Sequence, residues 1–219
     1  MYNKIHIYIY MKLLQKIIHF IMMTTYKYGL DESHGMMHSF DTLHTSDKII
    51  KYESINFPEL IEQQNIVYVS AALHDMCDKK YMNEEEGIEK IENLLKEDMS
   101  KKEINVVHDI VGKMSYSKVK KYGFPDMGNY QAAYNVVREA DLLCAYDFNR
   151  AMIYSLYKRD TSIEEAYKDT FELFLKRMFK HNDDGLFTFD YTKERANELK
   201  YHSLRQMKQW KRIMKALHK

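Results

Sequence analysis

The 219-residue chain has only 2 prolines and 7 glycines, where average usage would give roughly 11 and about 15. Tight turns between strands draw on those residues for fixed or positive φ. The shortage therefore argues against a sandwich or barrel and for long helices with few connections. It also argues against a phosphate-binding loop, which needs clustered glycines so that backbone can approach the anion. Gly123 and Gly128 alone have Walker-like spacing, and Asn129-Tyr130 follows them instead of Lys-Ser/Thr. Two cysteines, Cys77 and Cys144, are too few for a disulfide framework or a four-cysteine zinc site, and a reducing cytosol is expected. Charge of one sign is also lacking: 33 Lys+Arg against 32 Asp+Glu leave +1, with no general pull toward nucleic acid or anionic lipid. No apolar run approaches the ~20 residues of a membrane span, since Lys12 and Lys16 interrupt the richest stretch, Ile5 to Tyr26. That stretch also lacks the compact apolar core and small-residue cleavage site of a signal peptide. It reads as an amphipathic first helix behind a short leader.

What is present is helical periodicity. Ile88, Ile91, Leu94 and Leu95 recur at three and four residues, as do Ile104, Val107, Ile110 and Val111. A longer helical segment is expected from Tyr130 to about Arg159. Another runs from Ile163 to Phe179, with Ala166, Tyr167, Phe171, Phe174 and Leu175 on one face, and a last one from about Lys193 to Leu217. Breaks fall near Gly29, Pro58, Asn83, residues 121–129 and Asn182-Gly185. The expectation is one all-α domain of seven to nine helices.

The segment Ile66-Val67-Tyr68-Val69-Ser70-Ala71-Ala72-Leu73 is apolar and ends in His74-Asp75. An ionised carboxylate beside an imidazole at the end of a buried segment is costly unless something compensates, and a metal ion does so. Other segments must then close the shell. His34 and His38 stand four apart in Asp31-Glu32-Ser33-His34-Gly35-Met36-Met37-His38, and Asp141 stands in the otherwise apolar run Ala140-Asp141-Leu142-Leu143. Two imidazoles and two carboxylates suit Mn²⁺, Fe²⁺, Co²⁺, Ni²⁺ or Mg²⁺ better than a closed structural zinc.

The order His38, then His74-Asp75, then Asp141, with Ala71-Ala72-Leu73 before the doublet and Glu139-Ala140-Asp141-Leu142-Leu143 around the last ligand, resembles the HD-domain superfamily of metal-dependent phosphohydrolases. Asp78 and Lys80 after the doublet, Ser33-His34 before His38, and Ile110-Val111-Gly112-Lys113-Met114-Ser115-Tyr116 look most like the small stand-alone HD proteins related to bacterial nucleotide pyrophosphohydrolases. The chain departs from that group at Asp41, where an Arg is usual, and at Cys144, where a second carboxylate is usual. The resemblance implies a helical HD domain over residues 26–219, with residues 1–25 as leader and start of the first helix. It implies one divalent ion on His38, His74, Asp75 and Asp141.

For chemistry, Asp78 would orient or deprotonate the attacking water if the helix continued past His74. Lys80, and less so Lys79, would offset charge on the phosphate. His34, one turn from His38 if both share a helix, would contact phosphate or donate a proton. The expected substrate is a small phosphate-bearing molecule, a nucleotide in the first instance. A (deoxy)nucleoside triphosphate losing pyrophosphate or phosphate comes first, and a nucleoside monophosphate or phosphodiester is the alternative. No membrane partner and no nucleic acid are expected, and a homodimer stays open. From another class, a non-catalytic helical module would keep the metal site and bind nucleic acid through the basic stretch Lys200, Arg205, Lys208, Lys211, Arg212, Lys215 and Lys219 with Trp210. The more economical expectation is that the apolar face of that last helix packs on the domain. A di-iron oxygenase would need further inward histidines, and Leu73 and Met76 flank the doublet instead. A second doublet, His108-Asp109, follows a lysine-rich stretch and reads as helix surface.

Overall fold

With so little proline or glycine to interrupt them, the apolar periodicities run as helices. The computed structural model describes residues 2–31 and 34–217; Ser33 of the first motif and Lys219 of the basic stretch lie outside the described residues. Ten α-helices and two short 3-10 helices form the described part, which holds no strand. The chain divides into two units, one ending at Arg138 and the other beginning at Glu139.

In the first unit, α1 (Tyr2–Tyr28), α2 (Met36–Glu53) and α5 (Lys101–Lys113) all pack on α3 (Glu59–Leu73). The central place of α3 follows from its sequence. Its second half is apolar on every side, and a helix without a polar face has to be surrounded. Ile66, Val67, Val69, Ala71, Ala72 and Leu73 are all buried. Against it α1 contributes Leu13, Ile17 and Ile21, spaced by four and buried. α4 (Glu84–Leu95) packs on α1 and α5. It starts where Asn83 Oδ1 accepts from the Glu86 amide at 3.0 Å, and a reciprocal Ser100–Glu103 capping box starts α5. The short α6 (Tyr116–Tyr122) stops at Gly123, whose φ of 80° lies in the left-handed region open to glycine.

α7 (Gln131–Cys144) carries the chain into the second unit. There α8 (Phe148–Arg159), α9 (Ile163–Lys176) and α10 (Asp190–Leu217) pack together. The core is aromatic: Phe148 meets Phe174 edge to face at 5.3 Å and Tyr167 at 5.6 Å. Glu139 is fully buried within this unit. Its carboxylate accepts from the Thr188 amide at 2.9 Å, the Thr188 hydroxyl at 2.6 Å and the Thr192 hydroxyl at 2.5 Å, which ties α7 to the start of α10.

Three expectations are corrected. Ten α-helices replace seven to nine, in part because the single segment expected from Tyr130 to Arg159 is two helices. Asp147 breaks it by accepting from the amides of Asn149 and Arg150, at 3.0 and 3.3 Å, and so caps a new helix. Leu175 is 45% exposed, because the buried face of α9 runs through Ala166, Thr170 and Phe174. The apolar face of α10 is buried only as far as Met207. Beyond it Ile213 and Leu217 are exposed.

Candidate metal centre

α3 ends at Leu73, and His74 occupies its C-cap. The last carbonyls of a helix have no partner within it, and the His74 ring supplies one: Nδ1 lies 2.8 Å from the Ala71 carbonyl oxygen. A carbonyl can only accept, so the imidazole proton sits on Nδ1 and the lone pair on Nε2. A backbone carbonyl holding one ring nitrogen while the other points into a site is how ligating histidines are commonly oriented.

Opposite stands His38, in the first turn of α2, buried like His74. The packing of α2 on α3 brings the two rings edge to face, with Nε2 to Nε2 at 3.1 Å. Asp75 Oδ2 completes the group at 3.1 Å from His74 Nε2 and 3.4 Å from His38 Nε2. That oxygen is buried and takes no well-directed hydrogen bond. A carboxylate oxygen and a nitrogen lone pair cannot satisfy each other, and an anionic oxygen left so in a protein interior costs several kcal/mol. A cation at their focus removes the conflict. The donor set, two imidazole nitrogens and one carboxylate, fits a divalent transition ion. Burial pushes the Asp75 carboxyl up, and the positive charge that His74 and His38, with His34 further out, carry when protonated draws it down and leaves it below the ordinary carboxylate value.

The catalytic candidates come to the same place by a different route than expected. The helix does not continue past His74. Residues 74–77 form turns, and the Asp78 amide donates to the Asp75 carbonyl at 3.2 Å. His34 is not on a helix with His38 either: α2 begins at Met36, and His34 lies in the turn before it, its amide donating to the Asp31 carbonyl at 3.0 Å. These two loops still bring one ligand-type atom each of His34, Asp75 and Asp78 within 4.8 Å of one another. Lys80 Nζ donates to His34 Nε2 at 3.0 Å and lies 3.6 Å from Asp78 Oδ2. Lys79 is exposed. Two residues that the sequence did not single out belong here: Tyr81, whose hydroxyl donates to Asp31 Oδ2 and lies 3.2 Å from His34 Nδ1, and Asp31 itself. No local pattern marks a contact that spans about 50 positions.

Asp141 stands in the last turn of α7, partly buried, in the second unit. Cys77 is buried and closely approached by Gly87, where a Cβ would come 2.6 Å from the Cys77 Cβ. In the other doublet Asp109 is exposed on α5 and pairs with Lys113 at 2.8 Å, whereas His108 is half-buried and not on the helix surface as expected. An apolar cleft of about 620 Å³ opens among α1, α2 and α3, lined by residues such as Leu13, Ile17, Leu43 and Val69; none of the candidate ligands or catalytic residues lines it. Among the described residues no helix is long and apolar enough to cross a membrane. No family model matches the chain, and neither a curated protein nor a solved structure does.

Proposed function

We propose that this chain is an HD-type metal-dependent phosphohydrolase acting on a nucleotide, with (deoxy)nucleoside triphosphates as first substrates and pyrophosphate or phosphate as product. The observation that carries the reading is the meeting of His38 Nε2, His74 Nε2 and Asp75 Oδ2 within 3.4 Å, with the His74 proton committed to Ala71. These three would hold the ion, and Asp141 is proposed as the second carboxylate ligand on the strength of the sequence resemblance. A divalent ion in such a site supplies Lewis acidity toward a phosphoryl oxygen and a lowered pKa for water. The protein's own groups do the rest. Asp78, beside Asp75, orients the attacking water and accepts its proton. Lys80, half exposed at the edge of the cluster, offsets charge gathering on the phosphoryl oxygens. His34, once Lys80 turns to the phosphate, contacts it by donating from Nε2 after taking a proton from solvent.

The test is turnover of a nucleotide panel with Mn²⁺, Co²⁺ or Mg²⁺, with products separated. Pyrophosphate or phosphate from triphosphates supports the reading. Phosphate from monophosphates, or cleavage of a diester, moves it to the alternative substrate. No turnover with any common divalent ion sinks it.

A second reading has one observation in its favour. Arg205, Lys208, Lys211, Arg212 and Lys215 have no acidic partner among the described residues, and all but Arg205 lie on the part of α10 beyond Met207, where burial gives out. A module that binds nucleic acid there would show strong, salt-sensitive association without hydrolysis.

A further inference from the structure

A run of hydrogen bonds links Asp31, Tyr81, His34 and Lys80, and its direction can be read atom by atom. Lys80 Nζ stands 3.0 Å from His34 Nε2. An ammonium has no acceptor to offer, so the ring nitrogen is the acceptor and the proton of the neutral imidazole sits on Nδ1. Nδ1 faces the Tyr81 hydroxyl oxygen at 3.2 Å and Asp31 Oδ1 at 3.6 Å. The Tyr81 hydroxyl gives its own proton to Asp31 Oδ2, which frees its oxygen to accept from His34 Nδ1. The tyrosine ring lies tilted against the imidazole, 5.5 Å centroid to centroid. The run also has an inside and an outside. The Asp31 side chain is 10% exposed, that of His34 17% and that of Lys80 52%. The fixed end is sheltered, and the movable cation is at the mouth of the cluster.

From this geometry we propose that Asp31 and Tyr81 are positioning residues: they fix the His34 ring with its proton on Nδ1, so that Nε2 presents a lone pair that holds Lys80 beside the Asp75–Asp78 carboxylates. The inference rests on the hydrolytic reading of the site and adds what aims its phosphate-binding groups. The groups involved, Asp31, His34, Asp78, Lys80 and Tyr81, all lie outside the helices, so no helix holds their side chains still. A long lysine on a turn has many rotamers, and anchoring it before substrate arrives lowers the entropic cost of capturing a phosphate. An incoming phosphate takes over the ammonium, and His34 Nε2, released from Lys80, can donate to a phosphate oxygen once it takes up a proton from solvent. The hydroxyl of Tyr81 carries the whole arrangement, because it is at once the acceptor for Nδ1–H and the donor that settles Asp31.

The experiment has two arms. The first needs no activity: ¹⁵N spectra of the histidine rings in the full chain, near pH 8, compared between wild type and Tyr81→Phe. The wild type is expected to show His34 as the Nδ1–H tautomer, and Tyr81→Phe, which keeps the ring packing, is expected to lose that preference. A wild-type His34 protonated on Nε2 overturns the proposal. The second arm is kinetic, with Mn²⁺ and whichever nucleotide turns over. Tyr81→Phe is expected to raise KM about tenfold, the scale of one charge-assisted hydrogen bond, with kcat within about twofold because the water-activating Asp78 is untouched. Asp31→Asn, which retains an acceptor for the tyrosine hydroxyl, is expected to keep most of the wild-type KM. Combining Tyr81→Phe with His34→Ala is expected to be no worse than His34→Ala alone, since Tyr81 acts only through that ring. Additive losses overturn the positioning role. A wild type that hydrolyses nothing overturns the functional reading, while the ring spectra still decide the tautomer.

Discussion

Two buried carboxylates, one in each unit, have opposite surroundings. Glu139 receives hydrogen bonds from Thr188 N, Thr188 Oγ1 and Thr192 Oγ1. Asp75 Oδ2 faces His74 Nε2 and His38 Nε2 instead, and His74 has already spent its proton on a carbonyl. With the Phe189 amide added at 3.4 Å, each Glu139 oxygen has two donors, so that carboxylate is complete as a structural tie. Around Asp75, His74 Nε2 is an acceptor and Asp75 Oδ2 has no donor, an arrangement that a cation would relieve. The difference separates a residue that ties the fold from one proposed to hold a metal ion, and it does so without reference to any relative.

The largest effect that tests this contrast is Asp75→Ala. Turnover should fall by about a thousandfold or more, the scale of losing central electrostatic stabilisation, while far-ultraviolet circular dichroism stays that of a helical protein. Metal linkage gives an independent readout. A divalent ion at a hundred times its Kd should stabilise the wild type by about 2.7 kcal/mol in denaturant melts, and Asp75→Ala or His74→Ala should show none of it. An ion shift that survives both substitutions breaks the contrast.

Glu139→Ala should do the reverse. It takes the acceptor away from Thr188, Phe189 and Thr192 and unties α7 from α10, at a cost of about 3 kcal/mol, or a melting temperature lower by roughly 6–12 °C for a chain of this size. The divalent-ion shift should persist in this variant. If Glu139→Ala instead abolished the shift and left melting unchanged, the roles assigned to the two carboxylates would have to be exchanged.

The same contrast shows what could be read from the residues alone. The helical class followed from proline and glycine scarcity, and His38, His74 and Asp75 from an apolar run ending in a doublet and a histidine upstream. What escaped was backbone and distance. Nothing in Asp75-Met76-Cys77-Asp78 says that the helix ends at Leu73, so the route of Asp78 to the cluster was mistaken although its presence there was not. The break at Asp147 was hidden because its flanks continue a helical pattern and only the cap geometry reveals it. Tyr81 and Asp31 stayed invisible because their bond joins two loops far apart in sequence. Glu139 was seen only as part of a motif, since its donors come from a turn some 50 residues on.

A smaller effect is expected where α4 meets the turn between Asp75 and Asp78. A Cβ at Gly87 would lie 2.6 Å from Cys77 Cβ and 2.9 Å from its Cα, so Gly87→Ala must move backbone that carries the site. About 1–3 kcal/mol of stability should be lost, with metal affinity lowered several-fold because Cys77 is held between a ligand and the water-orienting acid. Calorimetric titration with Mn²⁺ checks this, and unchanged affinity would show that the turn is not coupled to α4.

The smallest effect belongs to the other His-Asp doublet, and it is the control that makes the first one meaningful. His108-Asp109 has the same two residue types in the same order, but Asp109 is half exposed on α5 and its oxygen is 2.8 Å from Lys113 Nζ. In water such a pair is screened, and its loss falls within about ±0.5 kcal/mol. Asp109→Asn should leave melting, ion-induced stabilisation and turnover unchanged. If it matched Asp75→Ala in any of these, the dipeptide itself would be the determinant. The expected null result assigns function to the surroundings of Asp75, an oxygen without a donor beside two imidazole nitrogens, which Asp109 does not have.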